Sequence, residues 1–297
     1  MTRTGFGFLR NAKAEGRPVR NLRLAGLLVV LVASLGRAEP GTIEWYKDLD
    51  KASSAARESN KPMLLDFWAD WCAPCRVMEK EVYSDPVIVA AASQKFLPVQ
   101  LDFDRRQDLA RKYGIEGLPT IVFTDSYGGE LFRHSGIIDA KTLTELLRAL
   151  PADVSEINRL RQILAQGKNN FAALSGLGIN LQASGLFRLS NEYYSRALRT
   201  DPAKRDLVQR EKILTAMGLN HIELQEAKQA AQVFEQCLKE FPRSENTPLF
   251  LLRVGQAYTL GGAKEKAKAR KPLETLIRQY PNSDAAAKAA AMLADLR

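Results

Sequence analysis

Cysteine and histidine are scarce in this chain: three Cys and two His in 297 residues. A small secreted scaffold held by disulfides carries an even, well-spread set of cysteines. Cys72 and Cys75 stand close together and Cys237 stands alone, which is the count expected where cysteine is a reagent rather than a staple. Zinc needs four ligands. The remaining candidates, Cys237, His134 and His221, are remote from the pair and lack ligand spacing, so no metal is assigned. A long apolar run is also missing. Leu24–Leu35 falls short of the roughly 20 residues that span a bilayer. Bulk charge of one sign is missing too. The net charge is +9, but the first 38 residues hold seven basic residues and one acid. The other 259 residues carry only +3, too little for a general phosphate-binding surface, which excludes a nucleic-acid partner.

The chain is long enough for two ordinary domains. At 45% hydrophobic and 26% charged residues it is globular rather than disordered. Its first 38 residues read as an export signal: a basic segment to Arg23, the apolar run Leu24–Leu35, then Gly36-Arg37-Ala38 before a cut. A retained membrane anchor is the alternative. Either places the rest outside the cytoplasm, most simply in a bacterial periplasm.

Apolar spacing then predicts a helix over Ile43–Asn60, stopped by Lys61-Pro62. A buried strand follows over Met63–Ala69, and Cys72 opens a second helix. Further strands are expected at Phe96–Phe103, Thr120–Thr124 and Glu130–Ser135, with helices at Asp104–Tyr113 and Thr142–Leu150. This alternation predicts a mixed α/β domain over about 43–150.

Beyond Pro151 the strand signals vanish and the chain repeats itself. Leu174, Leu177, Gly178, Tyr194, Ala197 and Pro202 are matched 40 residues on by Leu214, Met217, Gly218, Phe234, Cys237 and Pro242. A looser copy has Leu251, Val254, Gly255, Tyr258, Leu273, Leu276 and Pro281. The small residue lets two helices approach, the aromatic is expected to fill the gap, and proline to end the second helix. This pattern resembles the tetratricopeptide repeat, and residues 153–297 are expected to be all-α, with an Ala-rich capping helix at Ala285–Leu296. Cys237 reads as buried filler. His134 and His221 read as packing or surface residues. The basic run Lys264–Lys271 reads as a solvated helix face, with a basic groove edge as its alternative.

The sharpest signal is Trp71-Cys72-Ala73-Pro74-Cys75, placed where a strand ends and a helix begins. Free N–H groups and the macrodipole at a helix start stabilise an anion. Cys72 there should have a lowered pKa and attack a disulfide as thiolate, and Cys75, one turn on, can resolve the mixed disulfide. Pro74 suits the first turn, where its missing N–H has no partner to lose. A zinc half-site and a static disulfide are the bland alternatives.

The segment Asp66-Phe67-Trp68-Ala69-Asp70-Trp71-Cys72-Ala73-Pro74-Cys75 resembles the active-site segment of the thioredoxin family. Lys112–Thr120 resembles that family's second motif, which ends in a cis-proline, and Gly136 matches a later glycine. The front half is also similar to the C-terminal thioredoxin domain of the periplasmic transmembrane disulfide reductases. The shared features are a Trp45-bearing helix, Lys61-Pro62 and Glu81–Val87.

The resemblance implies a thioredoxin fold followed by tetratricopeptide-like repeats, and a thiol–disulfide oxidoreductase acting on protein substrates without a cofactor. It implies that Cys72 and Cys75 are the working pair. Asp66 matches the buried carboxylate that exchanges a proton with the second cysteine, and as an acid in an apolar strand it should have a raised pKa. Pro119 matches the cis-proline, exposing the backbone of Leu118 to a substrate strand. Trp71 and Pro74 would shape the substrate surface. The family lysine near the buried acid is replaced by Gln100. Electrons would come from a membrane reductase or another thiol reductant, and the repeat groove would hold a protein partner. The rival reading is a binding module, with the thioredoxin fold as a platform; it has no need for Cys72, Cys75, Asp66 and Pro119 together.

Overall fold

The computed structural model describes residues 41–296, so the expected export signal lies outside the described residues. Four strands form one sheet in the order β2-β1-β3-β4: β1 (Met63–Trp68), β2 (Leu97–Asp102), β3 (Thr120–Thr124) and β4 (Glu130–Ser135). β1 runs parallel to β2 and antiparallel to β3, and β3 runs antiparallel to β4. Helices cover both faces, which is why β1 reads as a nearly continuous apolar run. Met63, Leu65 and Phe67 face α1 (Leu49–Ser59) and α4 (Gln107–Lys112). Leu64 faces the other side. There it meets residues of α2 (Ala73–Val77) with its π-helical continuation (Met78–Val82), α3 (Pro86–Lys95) and α5 (Ala140–Ala149).

Two expectations need correction at the front of the chain. The first helix starts at Leu49 and not at Ile43, with the Asp48 carboxylate accepting from the amides of Asp50 and Lys51. The preceding residues are extended. Tyr46 bridges to Val99 in parallel, donating to Pro98 O at 2.9 Å and accepting from Gln100 N at 2.9 Å. Trp45 therefore sits on this edge segment, not on a helix, and packs edge-on against Tyr83 at 5.1 Å between ring centroids. Hydrogen bonds to β2, fifty residues away, outweigh a local helical preference that spacing alone suggested.

From Ser155 onward helices are the only regular elements among the described residues. α6 (Ser155–Gln166) is followed by the pairs α7/α8 (Phe171–Ala183, Phe187–Leu198), α10/α11 (Leu207–Glu223, Ala227–Glu240) and α12/α13 (Thr247–Thr259, Ala263–Gln279). A short α9 (Asp201–Arg205) intervenes, and α14 (Asp284–Asp295) lies last. The repeated glycines are where helices touch. A Cβ on Gly178 would lie 2.3 Å from the Tyr194 ring, one on Gly218 2.6 Å from Phe234, and one on Gly255 2.3 Å from Leu273. Pro242 and Pro281 follow the ends of α11 and α13 closely, whereas Pro202 opens α9 rather than closing a helix. Cys237 is fully buried among Leu214, Phe234 and Phe250, and burial pushes its thiol up to about 12. Lys264, Lys266, Lys268, Arg270 and Lys271 are all exposed on α13.

The repeats are docked on the sheet rather than tethered. Val154, Ile157 and Leu160 share a core with Leu131 of β4. Asn158 donates to Ser126 Oγ at 3.0 Å, and the single Ser126 hydroxyl proton is shared between the carbonyls of Ala56 and Lys61, 3.1 and 3.0 Å away. Arg161 pairs with Asp125, whose side chain is fully buried, and donates to Glu130 O at 3.0 Å. Its guanidinium occupies the space a side chain on Gly129 would need. Arg161→Ala would strand the Asp125 carboxylate, which keeps its backbone bonds from Tyr127 and Gly129. The expected loss is about 2–4 kcal/mol of unfolding free energy, read by urea titration. A loss below about 1 kcal/mol would mean the junction is not held by this pair.

Candidate active site

The end of β1 delivers the chain to the cysteines. β1 stops at Trp68, and Ala69 O accepts from Cys72 N at 3.0 Å, turning the chain into α2. Cys72 is the N-cap, and its sulfur accepts from Cys75 N–H at 3.2 Å. Pro74 lies in the first turn, where a missing N–H costs nothing. Cys72 and Cys75 form a disulfide, with their Cα atoms 5.3 Å apart. They are 2% and 6% exposed and pack with Ala69, Trp68, Phe103 and Leu118. Reduced, the pair would place one thiol where a backbone N–H and the helix start favour its anion.

The sheet register brings the second motif to the same end. Phe67 pairs with Thr120, so the residues preceding β3 lie beside the end of β1. The Leu118–Pro119 peptide bond is cis; Pro119 is buried and Leu118 half-buried against the cysteine cluster. Trp71 is 63% exposed, and its indole N–H donates to Asp104 Oδ2 at 2.9 Å. Exposed Trp71 and Ile137 leave apolar surface near this end of the sheet. The repeats lie elsewhere: Asp125 and Ser126 follow β3 at its far end, about 15 Å away by strand rise.

Asp66 occupies the middle of β1 on the face of Leu64, toward the helix that the cysteines open. It is 2% exposed. Burial pushes its pKa up to about 6; hydrogen bonds from Tyr83 and Gln100 pull it down, nearby Glu79 raises it, and Lys47 lowers it. Tyr83 Oη donates to Asp66 Oδ1 at 3.0 Å and Gln100 Nε2 to Oδ2 at 3.3 Å. Lys47 Nζ donates to Gln100 Oε1. The replacement at Gln100 thus leaves the acid with a neutral donor and a cation one residue removed. Motif reading points to Asp66 and Gln100 but misses Tyr83 and Lys47. Tyr83 falls in the shared segment Glu81–Val87, but nothing local ties its hydroxyl to Asp66, and Lys47, ahead of α1, carries no distinguishing pattern. His134 pairs with Ile121 on β3, its Nε2 3.2 Å from Ile137 O, and His221, in the repeats, has its Nδ1 2.7 Å from Glu226 Oε2. Among the described residues no three His, Cys, Asp or Glu side chains gather as a metal site would need.

This strand–cysteine–helix arrangement with a neighbouring cis-proline defines a thioredoxin-like domain, followed by tetratricopeptide repeats. The thioredoxin-like family model matches residues 44–126, and the tetratricopeptide repeat model matches 214–244 and 250–283. The chain is similar to the thiol:disulfide interchange protein DsbD of Photorhabdus laumondii, 30% identical over 50% of this chain and 29% of that protein. It is likewise similar to DsbD of Escherichia coli K12, 37% identical over 34% of this chain and 19% of that protein. It therefore spans less than a third of the length of either relative. The C-terminal domain of Neisseria meningitidis DsbD in the oxidised form is a structural neighbour, 26% identical. The match covers 35% of this chain and 97% of that one, at a TM-score of 0.32.

Proposed function

We propose that this chain is a thiol–disulfide oxidoreductase that reduces disulfides in exported proteins through Cys72 and Cys75. The observation that carries the reading is the cysteine pair at a helix start, with the Cys75 amide on Cys72 sulfur and a buried acid on the facing strand. In the reduced protein, Cys72 thiolate attacks a substrate disulfide and releases one substrate thiolate. Cys75 loses its proton to Asp66 and attacks Cys72 sulfur, releasing the second substrate thiolate. Cys72 and Cys75 are left as the disulfide; two electrons have passed to the substrate, and its two thiolates take up protons. An external dithiol, such as that of a membrane reductase, must then reduce the pair again.

Pro74, Trp71, Leu118 and Pro119 are proposed as the surface on which the substrate lies. The proposed division is a thioredoxin-like part over 43–150 and a repeat part over 153–297, the latter binding a protein partner. An exported location rests on the N-terminal sequence. No helix among the described residues is long and apolar enough to cross a membrane. A binding platform is the rival reading, and it leaves the cysteine pair and the buried acid without work. The test is insulin reduction with an artificial thiol donor. Turnover that depends on Cys72 supports the proposal. Rapid oxidation of reduced substrates, with no insulin reduction, would overturn the reductase direction.

A further inference from the structure

The buried carboxylate at the centre of that reading is gripped from two sides by groups with different abilities. Lys47 Nζ can only donate, and it donates to Gln100 Oε1. That contact fixes which way the Gln100 amide points: Nε2 must face Asp66 Oδ2, and an amide NH2 cannot accept. A proton on Oδ2 would therefore meet a donor head-on. Oδ1 meets the Tyr83 hydroxyl, which can donate to the carboxylate or accept from the acid. Tyr83 is 5% exposed and held against the Trp45 ring, so the hydroxyl stays in place while its hydrogen turns.

We propose that Tyr83 and, through Gln100, Lys47 are positioning residues that hold the working proton of Asp66 on Oδ1, with the Tyr83 hydroxyl turning from donor to acceptor as the proton arrives. This rests on the reading that Asp66 exchanges a proton with Cys75. The proton leaves the Cys75 thiol, the thiolate attacks the mixed disulfide, and the released substrate thiolate is protonated in turn. The other ionisable side chain near Asp66 is Glu79, on the cysteine helix, which opposes ionisation, while Lys47 favours it. The Tyr83 bond to the ionised acid is charge-assisted and outweighs the bond it accepts from the neutral form. Removing it therefore disfavours the carboxylate.

The experiment uses the full chain and two readouts: the pH dependence of single-turnover insulin reduction, and the 13C titration of the Asp66 carboxyl. The unaltered protein should show an acid limb near pH 6. Tyr83→Phe should move that limb and the carboxyl titration upward by about one pH unit, a tenfold change at fixed pH. Lys47→Met, an exposed substitution with little bearing on folding, should move both upward by a smaller amount. Asp66→Asn should abolish the limb. Limbs and titrations that coincide with the unaltered protein, or move downward, overturn the proposal. If the unaltered protein fails to reduce insulin at any pH, the oxidoreductase reading falls. The carboxyl titration in the two variants then still decides whether Tyr83 and Lys47 hold the proton of Asp66.

Discussion

A Cys75→Ser variant accumulates mixed disulfides with its substrates, all of them through Cys72. The attacking sulfur is retained while the group that would release it, one helical turn away, is gone. Cys72→Ser removes the nucleophile itself, and insulin reduction should fall by on the order of 10³-fold or more. Non-reducing gels with mass spectrometry of the adducts read both outcomes. Cys237 is fully buried with its thiol pushed up to about 12, so it supplies essentially no thiolate near neutral pH. Adducts joined through Cys237 instead of Cys72 would sink the assignment of the nucleophile.

Asp66→Asn should make the protein more stable and less active at once. The acid has an ordinary value of 3.8 and a value of about 6 in the fold, raised mainly by burial. A carboxyl raised by folding favours the native state while it is protonated, and that advantage is lost as pH rises through the folded value. Below about pH 4 both the folded and unfolded acids are neutral and the linkage contributes no difference. Above about pH 7 the ionised acid costs the native state about 3 kcal/mol, the free-energy equivalent of the gap between the two values. The neutral amide escapes this cost, so urea midpoints of variant and parent should diverge between pH 4 and 7 in favour of the variant. Over the same range turnover should fall by about 10²-fold, because the group that takes the Cys75 proton is gone. A variant less stable than the parent at pH 8 would mean that Asp66 holds the fold together rather than serving chemistry.

What was legible in the sequence was whatever is local. Four residues, Cys72 to Cys75, suffice to put two cysteines one helical turn apart, within reach of a disulfide. β1 was readable because a strand covered on both faces reads as a nearly continuous apolar run, Met63–Phe67, broken only by Asp66. The repeats were readable because Gly178, Gly218 and Gly255 recur where helices touch, and each lacks the side chain that would collide with its partner. Contacts assembled from distant segments were not legible. Gln100 was legible as the replacement of the family lysine, but the bonds that Tyr83 and, through Gln100, Lys47 make toward Asp66 join separate stretches that nothing local ties together. Apolar spacing suggests a helix around Tyr46, whereas the segment is extended because its partner, Val99, lies on another strand. The junction with the repeats was equally hidden. Asp125 and Ser126 look like ordinary turn residues until Arg161 and Asn158 arrive from α6.

The helix that opens the repeat part grips the end of the sheet remote from the cysteines, and Trp71 is exposed.

The reduction potential of the Cys72/Cys75 pair, measured by equilibration with a glutathione or dithiothreitol buffer, tests the central claim most directly. Pro74 stands between the cysteines, and no histidine there stabilises the Cys72 thiolate as in strong oxidants. The reduced form should therefore not be specially favoured, and the potential should lie near the roughly −270 mV of thioredoxin. A potential near −120 mV, the range of a strong oxidant, would contradict the account and make this chain a donor of disulfides.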